Sequence, residues 1–518
     1  MSRGSSSIHV VIAVVIVLLC IGTGVYSFLS LRAADDETEL NLYSLVPDDA
    51  TAVIETDRMA ELVNDVDNLH CSRDGYYLYF SDLFVYTKNY LYAWTNDAPH
   101  GLSPQMNKVL LSFHGPDNPE NQVMYCSLGS GDIEMMKQFI RKYASGKYPP
   151  KSIDYKGETI HIYPVPDGRF LSAFYSSEFI AVSFRKPLIE KVIDTYRSGR
   201  SLIDDATFQL MHEGRRPGVS ATVYTRIRAI DMGPSTDERL SPVLSLGEWS
   251  EFDLRFDGDG IYCSGVSHQS DSLSAFFRQL GCRQPLIGLP GERLPSSTFF
   301  HVHSPVLDSA TLSYFVPVVP LAGDSTVGSG SPLWRLRRPG EEGPALSSEL
   351  VEFITDEGEG EMLTCLFLSS DEADVRPCAV LSLTVADGVR AERRLQAMER
   401  EAKTAATPFL PWRMHRGRLL LAPDERSLQA YVKAIEGGDV LEDVPAYQAG
   451  TSPLSSSYGF LMMADLSRLT RPEWQGCVKA IPGFFLRQAR FFRHFYLSAQ
   501  FTSGDGTVYP NLTLMYNE

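Results

Sequence analysis

The chain repeats itself, and this constrains its fold more than any other feature. The stretch Glu178–Phe208 aligns with Gly417–Tyr447 at a shift of 239 residues, with no gap. Gly199 falls on Gly438, Leu202 on Leu441, Asp204 on Asp443 and Phe208 on Tyr447. Apolar positions keep step: Val182 with Leu421, Ile189 with Leu428, Ile193 with Val432, and farther on Ile227 with Leu466 and Ile230 with Leu469. Upstream, Pro47–Ile54 resembles Pro295–Val302, and each copy closes on a Gly-Asp-Gly turn, at Gly258–Gly260 and Gly504–Gly506. Packing residues that recur at one shift predict one structural unit built twice. The expected halves are 35–288 and 289–518.

Within a half the pattern is a short strand followed by a helix. Phe179–Phe184 is rich in β-branched and aromatic residues, as a strand requires. Pro187 suits a first helical turn. Leu188, Ile189, Val192, Ile193 and Tyr196 then recur at helical spacing, and Gly199 ends the run. Upstream, Val123–Leu128 reads as a strand, Asp132 as the cap of a helix from Ile133, and Tyr155–Val165 with Arg169–Tyr175 as a meander turning at Gly157 and Gly168. The expected fold class is α+β: two similar halves of mostly antiparallel sheet, with helices laid on one face. The glycines of the two closing hairpins are expected to supply positive φ.

One segment stands outside the repeat. Ile8–Leu31 is a run of 24 residues without Asp, Glu, Lys or Arg. Roughly 20 apolar residues cross the hydrocarbon core, so the run is long enough to span it. A cleaved signal peptide has a shorter apolar core and small residues before the cut, and Leu31 or Arg32 would sit badly there. A lipoprotein signal at Cys20 lacks the small residue before its cysteine. The favoured reading is an uncleaved transmembrane signal anchor in residues 1–34. Lys and Arg are balanced across it, Arg3 against Arg32, so the positive-inside rule says little. The very short N-terminal tail favours that end inside and the bulk of the chain outside.

Charge narrows the partners. The chain carries −17. Arg3 and Arg32 are the only charges in residues 1–34, so the remainder carries −19. Nucleic acid, whose phosphates demand a basic patch, is excluded as a partner class. Seven of the eight cysteines lie outside the anchor and form no C-x-x-C pair, which removes zinc-ribbon and thioredoxin chemistry. Cys365 and Cys378 flank a turn-rich stretch and are read as small buried hydrophobes ahead of a cross-hairpin pair.

The familiar catalytic patterns are missing: there is no phosphate loop, H-E-x-x-H, G-x-S-x-G or dinucleotide turn. Ser183-Phe184-Arg185-Lys186 fits S-x-x-K, but no K-T-G follows, and its repeat partner Ala422–Glu425 has neither nucleophile nor base. His301 and His303 share one face of an expected strand, where both could ligate a metal, but no third ligand is evident. Asp356–Glu361 reads as a solvated acidic turn. Arg335-Leu336-Arg337-Arg338 reads as a basic knot in an exposed Gly- and Pro-rich loop. Arg487–Tyr496 reads as the lead into the last sheet, with Phe491, Phe495 and Leu497 inside. No catalytic, cofactor-binding or metal-binding residue is nominated, and no cofactor.

The anchor, the Pro-led strand opening each half and the strand-helix-Gly-Leu unit at Gly199 and Gly438 together resemble a family. It comprises uncharacterised, membrane-anchored envelope proteins of Bacteroidetes-type bacteria that carry a duplicated domain of unknown function. The resemblance implies a single-pass protein of the inner membrane with its C-terminal domain in the periplasm. It supplies no catalytic residues. The expected function is a non-catalytic scaffold or binding protein of the cell envelope with an envelope protein partner. The alternatives are an envelope hydrolase with its site between the halves, or a carrier of an apolar ligand.

Overall fold

A computed structural model describes residues 40–73, 105–115, 120–129, 132–139, 149–165, 168–213, 219–226, 249–267, 283–306, 348–369, 376–406, 409–471, 489–504 and 507–517, with isolated positions 83, 280, 478, 481 and 485. The anchor expected at Ile8–Leu31 lies outside these residues. Among them, no helix is long and apolar enough to cross a membrane.

The first strands are β1 (Ala52–Thr56), β2 (Val109–Phe113), β3 (Gln122–Ser127), β4 (Lys151–Tyr155), β5 (Glu158–Pro164), β6 (Phe170–Tyr175), β7 (Phe179–Ser183), β8 (Ala221–Thr225), β9 (Ser250–Phe256) and β10 (Gly260–Ser267). After the short β11 (Leu286–Ile287) come β12 (Thr298–Pro305), β13 (Gly358–Leu368), β14 (Pro377–Val385), β15 (Trp412–His415), β16 (Arg418–Leu421), the short β17 (Ser457–Tyr458), β18 (Phe460–Asp465), β19 (Phe495–Gly504) and β20 (Thr507–Tyr516). Eighteen of them form one sheet, every neighbouring pair antiparallel; β11 and β17 pair apart from it. From one edge the order is β4, β5, β6, β7, β3, β2, β1, β8, β9, β10, and then β20, β19, β18, β12, β13, β14, β16, β15. The expected α+β class with mostly antiparallel sheet is therefore observed.

Helices cover both faces of this sheet, not one. The strand sequences explain the difference. All five residues of β7 and all eight of β12 are buried, the mark of strands covered on both sides. On one face α1 (Met59–Asn68) packs Leu62 and Val66 against Leu111 and Ala221. Farther along that face, α6 (Ser348–Glu357) and α7 (Gly388–Thr404) pack Phe353 and Leu395 with Phe252, Ile261 and Phe299. Phe256 touches both groups, so this apolar layer passes beneath the centre of the sheet. The opposite face carries two separate cores. Helix α4 (Lys186–Ser198) buries Leu188, Ile189, Val192 and Ile193 with Tyr125 and Phe179. Helix α8 (Glu425–Gly437) buries Leu428, Val432 and Ile435 with Cys365 and Val380.

Local sequence sets these elements. Helix α4 has Pro187 in its first turn and ends on Gly199 at φ +67, whose N–H donates to Thr195 O at 3.0 Å. Helix α8 is capped by Asp424, which accepts from Ser427 N at 2.7 Å, and ends on Gly438 at φ +73. In each case the left-handed residue is the one without a Cβ. Tyr196, expected on the apolar face of α4, is 44% exposed and rests only its ring edge on Phe174 and Phe179. The β9–β10 turn departs from expectation: neither Gly258 nor Gly260 takes positive φ. The Asp257 carboxylate instead closes the turn, accepting from Asp259 N at 3.0 Å and Gly260 N at 2.9 Å. Gly260 answers a different need. A Cβ there would lie 2.9 Å from Met515 Sδ and 3.1 Å from Leu514 O of the adjoining β20.

Candidate functional site

Most of the groups that drew attention in the sequence are engaged inside the protein. Ser183 is fully buried; its Oγ donates to Gln122 O at 2.6 Å and accepts from Arg185 N at 3.0 Å. Lys186 turns away to pair with Glu190. The S-x-x-K pattern thus brings no nucleophile beside a base. Cys365 and Cys378 are buried free thiols, opposite Val380 and Phe367 respectively. Phe491, Phe495 and Leu497 are all buried, as expected. The basic knot Arg335–Arg338 lies outside the described residues.

The acidic run is not a solvated turn. Glu357 is 1% exposed and pairs with Arg390 and Arg394 of α7. Glu361, in β13, pairs with Arg293 and Arg418 through Oε1 and with His303 Nε2 through Oε2 at 2.6 Å. The ring of His303 is completed by Tyr458 Oη, 2.7 Å from Nδ1. Burial pushes the Glu361 carboxyl up, but His303 and the two guanidiniums outweigh it and hold the group well below the usual carboxylate range. Burial also pushes the His303 imidazole down, against the pull of Glu361. His301, two residues along the same strand face, is fully buried, and neither ring nitrogen has a hydrogen-bond partner. Burial lowers its pKa to about 3, with His303 adding to the effect. Among the described residues, no three His, Cys, Asp or Glu side chains stand close enough to hold a metal.

A second string was not read in the sequence. Ser112 Oγ lies 2.8 Å from His114 Nε2, and His114 Nδ1 lies 3.0 Å from Asp49 Oδ1. The hydrogen bond from His114, with Lys191 adding, holds the Asp49 carboxyl well below its ordinary range despite partial burial. With Nδ1–H directed at the carboxylate, Nε2 accepts from the serine, the order of a Ser-His-Asp triad. Ser-x-His on one strand face was visible in the sequence, but Asp49 reaches it from a different segment. The serine is fully buried, and β2 lies between β1 and β3. Acyl transfer needs a carbonyl carbon and oxyanion donors about 3 Å from the attacking atom. Here the hydroxyl meets Tyr125 Oη at 3.4 Å instead. A surface basin of about 610 Å³ lies near the carboxylate end of this string, but its Lys156 and Arg200 are paired to Asp194 and Asp48.

Among the described residues, one broad face of the sheet is left open. Helix α5 (Ala206–Glu213) covers β8, with the Phe208 ring 5.2 Å from both Tyr224 and Trp249. Helix α9 (Pro445–Thr451) covers β19, where Ser498 Oγ donates to Gly450 O at 3.0 Å. From β8 to β19 there are four strand spacings, about 19 Å. Between the helices, register places Asp253 and Arg255 of β9 on the same face as Tyr262 and Ser264 of β10. Asn511 of β20 lies opposite Ser264, and Tyr509 follows two residues away. Arg255 and Ser264 are exposed, and Tyr509 is 43% exposed. The reverse side of the same strands carries Phe252, Ile261, Leu512 and Leu514 against the continuous apolar layer. Alternation is therefore marked here, mainly apolar to one side and mainly polar to the other, as in a sheet with one solvated face.

No family model matches the sequence, and no curated protein is detectably similar to it. Among solved structures, crystal form IV of the protein TP0453 aligns over 44% of this chain and 81% of that one, at 10% identity and a TM-score of 0.25. Crystal form III aligns over 49% and 91%, at 10% identity and a TM-score of 0.27. Likeness at this level carries no argument about fold or function.

Proposed function

We propose that the chain is a non-catalytic scaffold or binding protein of the cell envelope, tethered to the inner membrane by residues 1–34 and projecting into the periplasm. It belongs with the envelope proteins it resembles and is built from two copies of one α+β unit. The duplication is supported by bonds that recur between matched residues. Leu202 N donates to Val46 O, and Leu441 N donates to Leu294 O, each at 2.8 Å. It is also supported by a strand order that runs inward through matched strands and sets β10 beside β20, the last strand of each copy.

The observation that carries the function is the open polar face between α5 and α9. The ionisable groups described above, Glu361 with His303 and Asp49 with His114, are committed to internal pairs, while this face offers side chains to solvent over several strands. The test is photo-crosslinking in intact cells with a reactive residue placed at Ser264. A reproducible adduct with an envelope component is expected; no adduct overturns the reading. Protease added to spheroplasts should remove the domain beyond residue 34, and protection would overturn the periplasmic placement.

The hydrolase reading draws on the Ser112–His114–Asp49 string. A fluorophosphonate probe should leave Ser112 unlabelled in the folded protein, and labelling there would replace the non-catalytic reading with the enzymatic one.

A further inference from the structure

We infer that the outer edge of β15 takes an extended segment of a partner protein as an added strand, with an acid set against Arg413 and Lys433 and a base against Glu436. The inference goes beyond the open face and rests on the reading of the chain as two copies of one unit.

In the first copy the matching edge is covered. Strand β5 pairs with β6 and sets His161 opposite Ala173, and the His161 ring stacks on Tyr175 with centroids 4.6 Å apart. The β4–β5 hairpin also leans on α4. There Asp194 accepts from Lys156 Nζ at 2.6 Å and from Tyr155 Oη at 3.2 Å, while Arg197 donates to Lys156 O. In the second copy, β15–β16 has the register of β6–β7 at the same shift of 239 residues: Trp412 faces Leu421 as Ala173 faces Val182. Among the described residues, β15 pairs with β16 alone.

The backbone of this edge is aimed outward. Ala422 N donates to Pro411 O at 3.1 Å. Bonded and non-bonded pairs alternate along an antiparallel ladder, so Arg413 and His415 bond inward to β16. The N–H and C=O groups of Trp412 and Met414 then point away from it, ready for an added strand. Met414 stands at the place of Tyr175. Its Cε lies next to Gly388 at the start of α7, where Val389 is 60% exposed. An aromatic side chain of the added strand can rest there, as His161 does on Tyr175.

Charge selects the occupant. Lys433 of α8 stands at the place of Asp194, Glu436 at that of Arg197, and the exposed Arg413 at that of Phe174, which is buried with Ile160. Glu425, 3.6 Å from Arg413, forms only an exposed pair with it, and such pairs hold weakly. The β4–β5 hairpin of a second copy would set Lys156 against Lys433 and Glu158 against Glu436, like charge against like. Strand β15 of a second copy, paired about Met414, would set Arg413 against His415. These charges guard the edge against its own kind and leave its backbone open to a strand of reversed charge.

The test uses the full chain in detergent and two fluorescein-labelled peptides, read by anisotropy. One peptide has the sequence of residues 151–164. The other carries Lys156→Glu, Glu158→Lys and Ile160→Glu. The altered peptide is expected to bind at least tenfold more tightly than the parent sequence. In the protein, Lys433→Glu combined with Glu436→Lys, both at exposed sites, should remove or reverse that preference. Met414→Pro deletes an outward N–H and should weaken binding tenfold or more with an unchanged circular dichroism spectrum. The inference is overturned if the altered peptide does not bind, if it binds no more tightly than the parent sequence, or if the charge-exchanged protein keeps the same preference. An adduct at Ser264 without peptide binding would sink the inference and leave the open-face reading standing. Peptide binding without an adduct at Ser264 would do the reverse.

Discussion

At Glu361 one carboxylate meets two guanidiniums and an imidazole, and the arrangement fixes what each substitution should cost. Glu361→Gln keeps the shape but leaves Arg293 and Arg418 facing each other without an anion. A loss of roughly 3 kcal/mol is expected from urea unfolding at neutral pH, the scale for breaking a largely buried pair. The folded carboxyl titrates below its unfolded value of about 4.3. Its contribution is therefore complete above that pH and is lost as pH falls further, a loss the Gln variant should not show. His301 behaves differently. Its folded pKa of about 3 lies below the unfolded value near 6.5, so the native protein should lose stability as pH falls between those limits, by up to ~1.4 kcal/mol per unit. His301→Leu also removes two buried nitrogens that lack partners. It should be at least as stable as the parent at pH 7 and lack that loss between about pH 6 and pH 4; equal slopes in urea midpoints would refute this account. The sequence placed both histidines on one strand face, as observed. It did not show that the face is interior, nor that partners for Glu361 arrive from 58 and 68 residues away.

Among the elements, the helix stops were legible and the strand partners were not. Gly438 takes φ +73, and a Cβ built on it would meet nothing within 4 Å, so its role is backbone conformation alone. Gly438→Ala should cost about 1 kcal/mol, the usual difference for a left-handed position. The β9–β10 hairpin separates two reasons for glycine. At Gly258 a Cβ would sit 3.7 Å from the tip of His70, an ordinary contact, so Gly258→Ala should be close to neutral. At Gly260 it would press on the backbone carbonyl of Leu514, so Gly260→Ala should destabilise by more than Gly438→Ala in the same thermal melts. Reading both as turn glycines missed this, because the need at Gly260 comes from β20, far along the chain. The second helix layer was missed for a related reason. Strands such as β7 alternate little in hydrophobicity, and a run of uniform burial does not say from the sequence alone what covers its second side.

For the molecule as a whole, the β10–β20 pairing and the apolar layer beneath it make two regions of the chain one structure. Phe252 and Ile261 pack with Phe299 and Phe353, so loosening one region exposes apolar surface of the other. Urea unfolding followed by single tryptophans at Trp249 and at Trp412 should therefore give coincident transitions, and two separated midpoints would contradict a shared core. The recurrence of packing residues at one shift was legible because they stand in unbroken stretches of sequence. The open face was not, since its polar residues carry no period and become neighbours only once register is set. On that face β9 brings Asp253 and the exposed Arg255, whereas the matching side chains of β19, Ser498 and Gln500, are buried against Gly450 and Ser455. The floor is therefore chemically lopsided. One end of the floor thus offers charge to solvent, while the other is roofed by the chain itself.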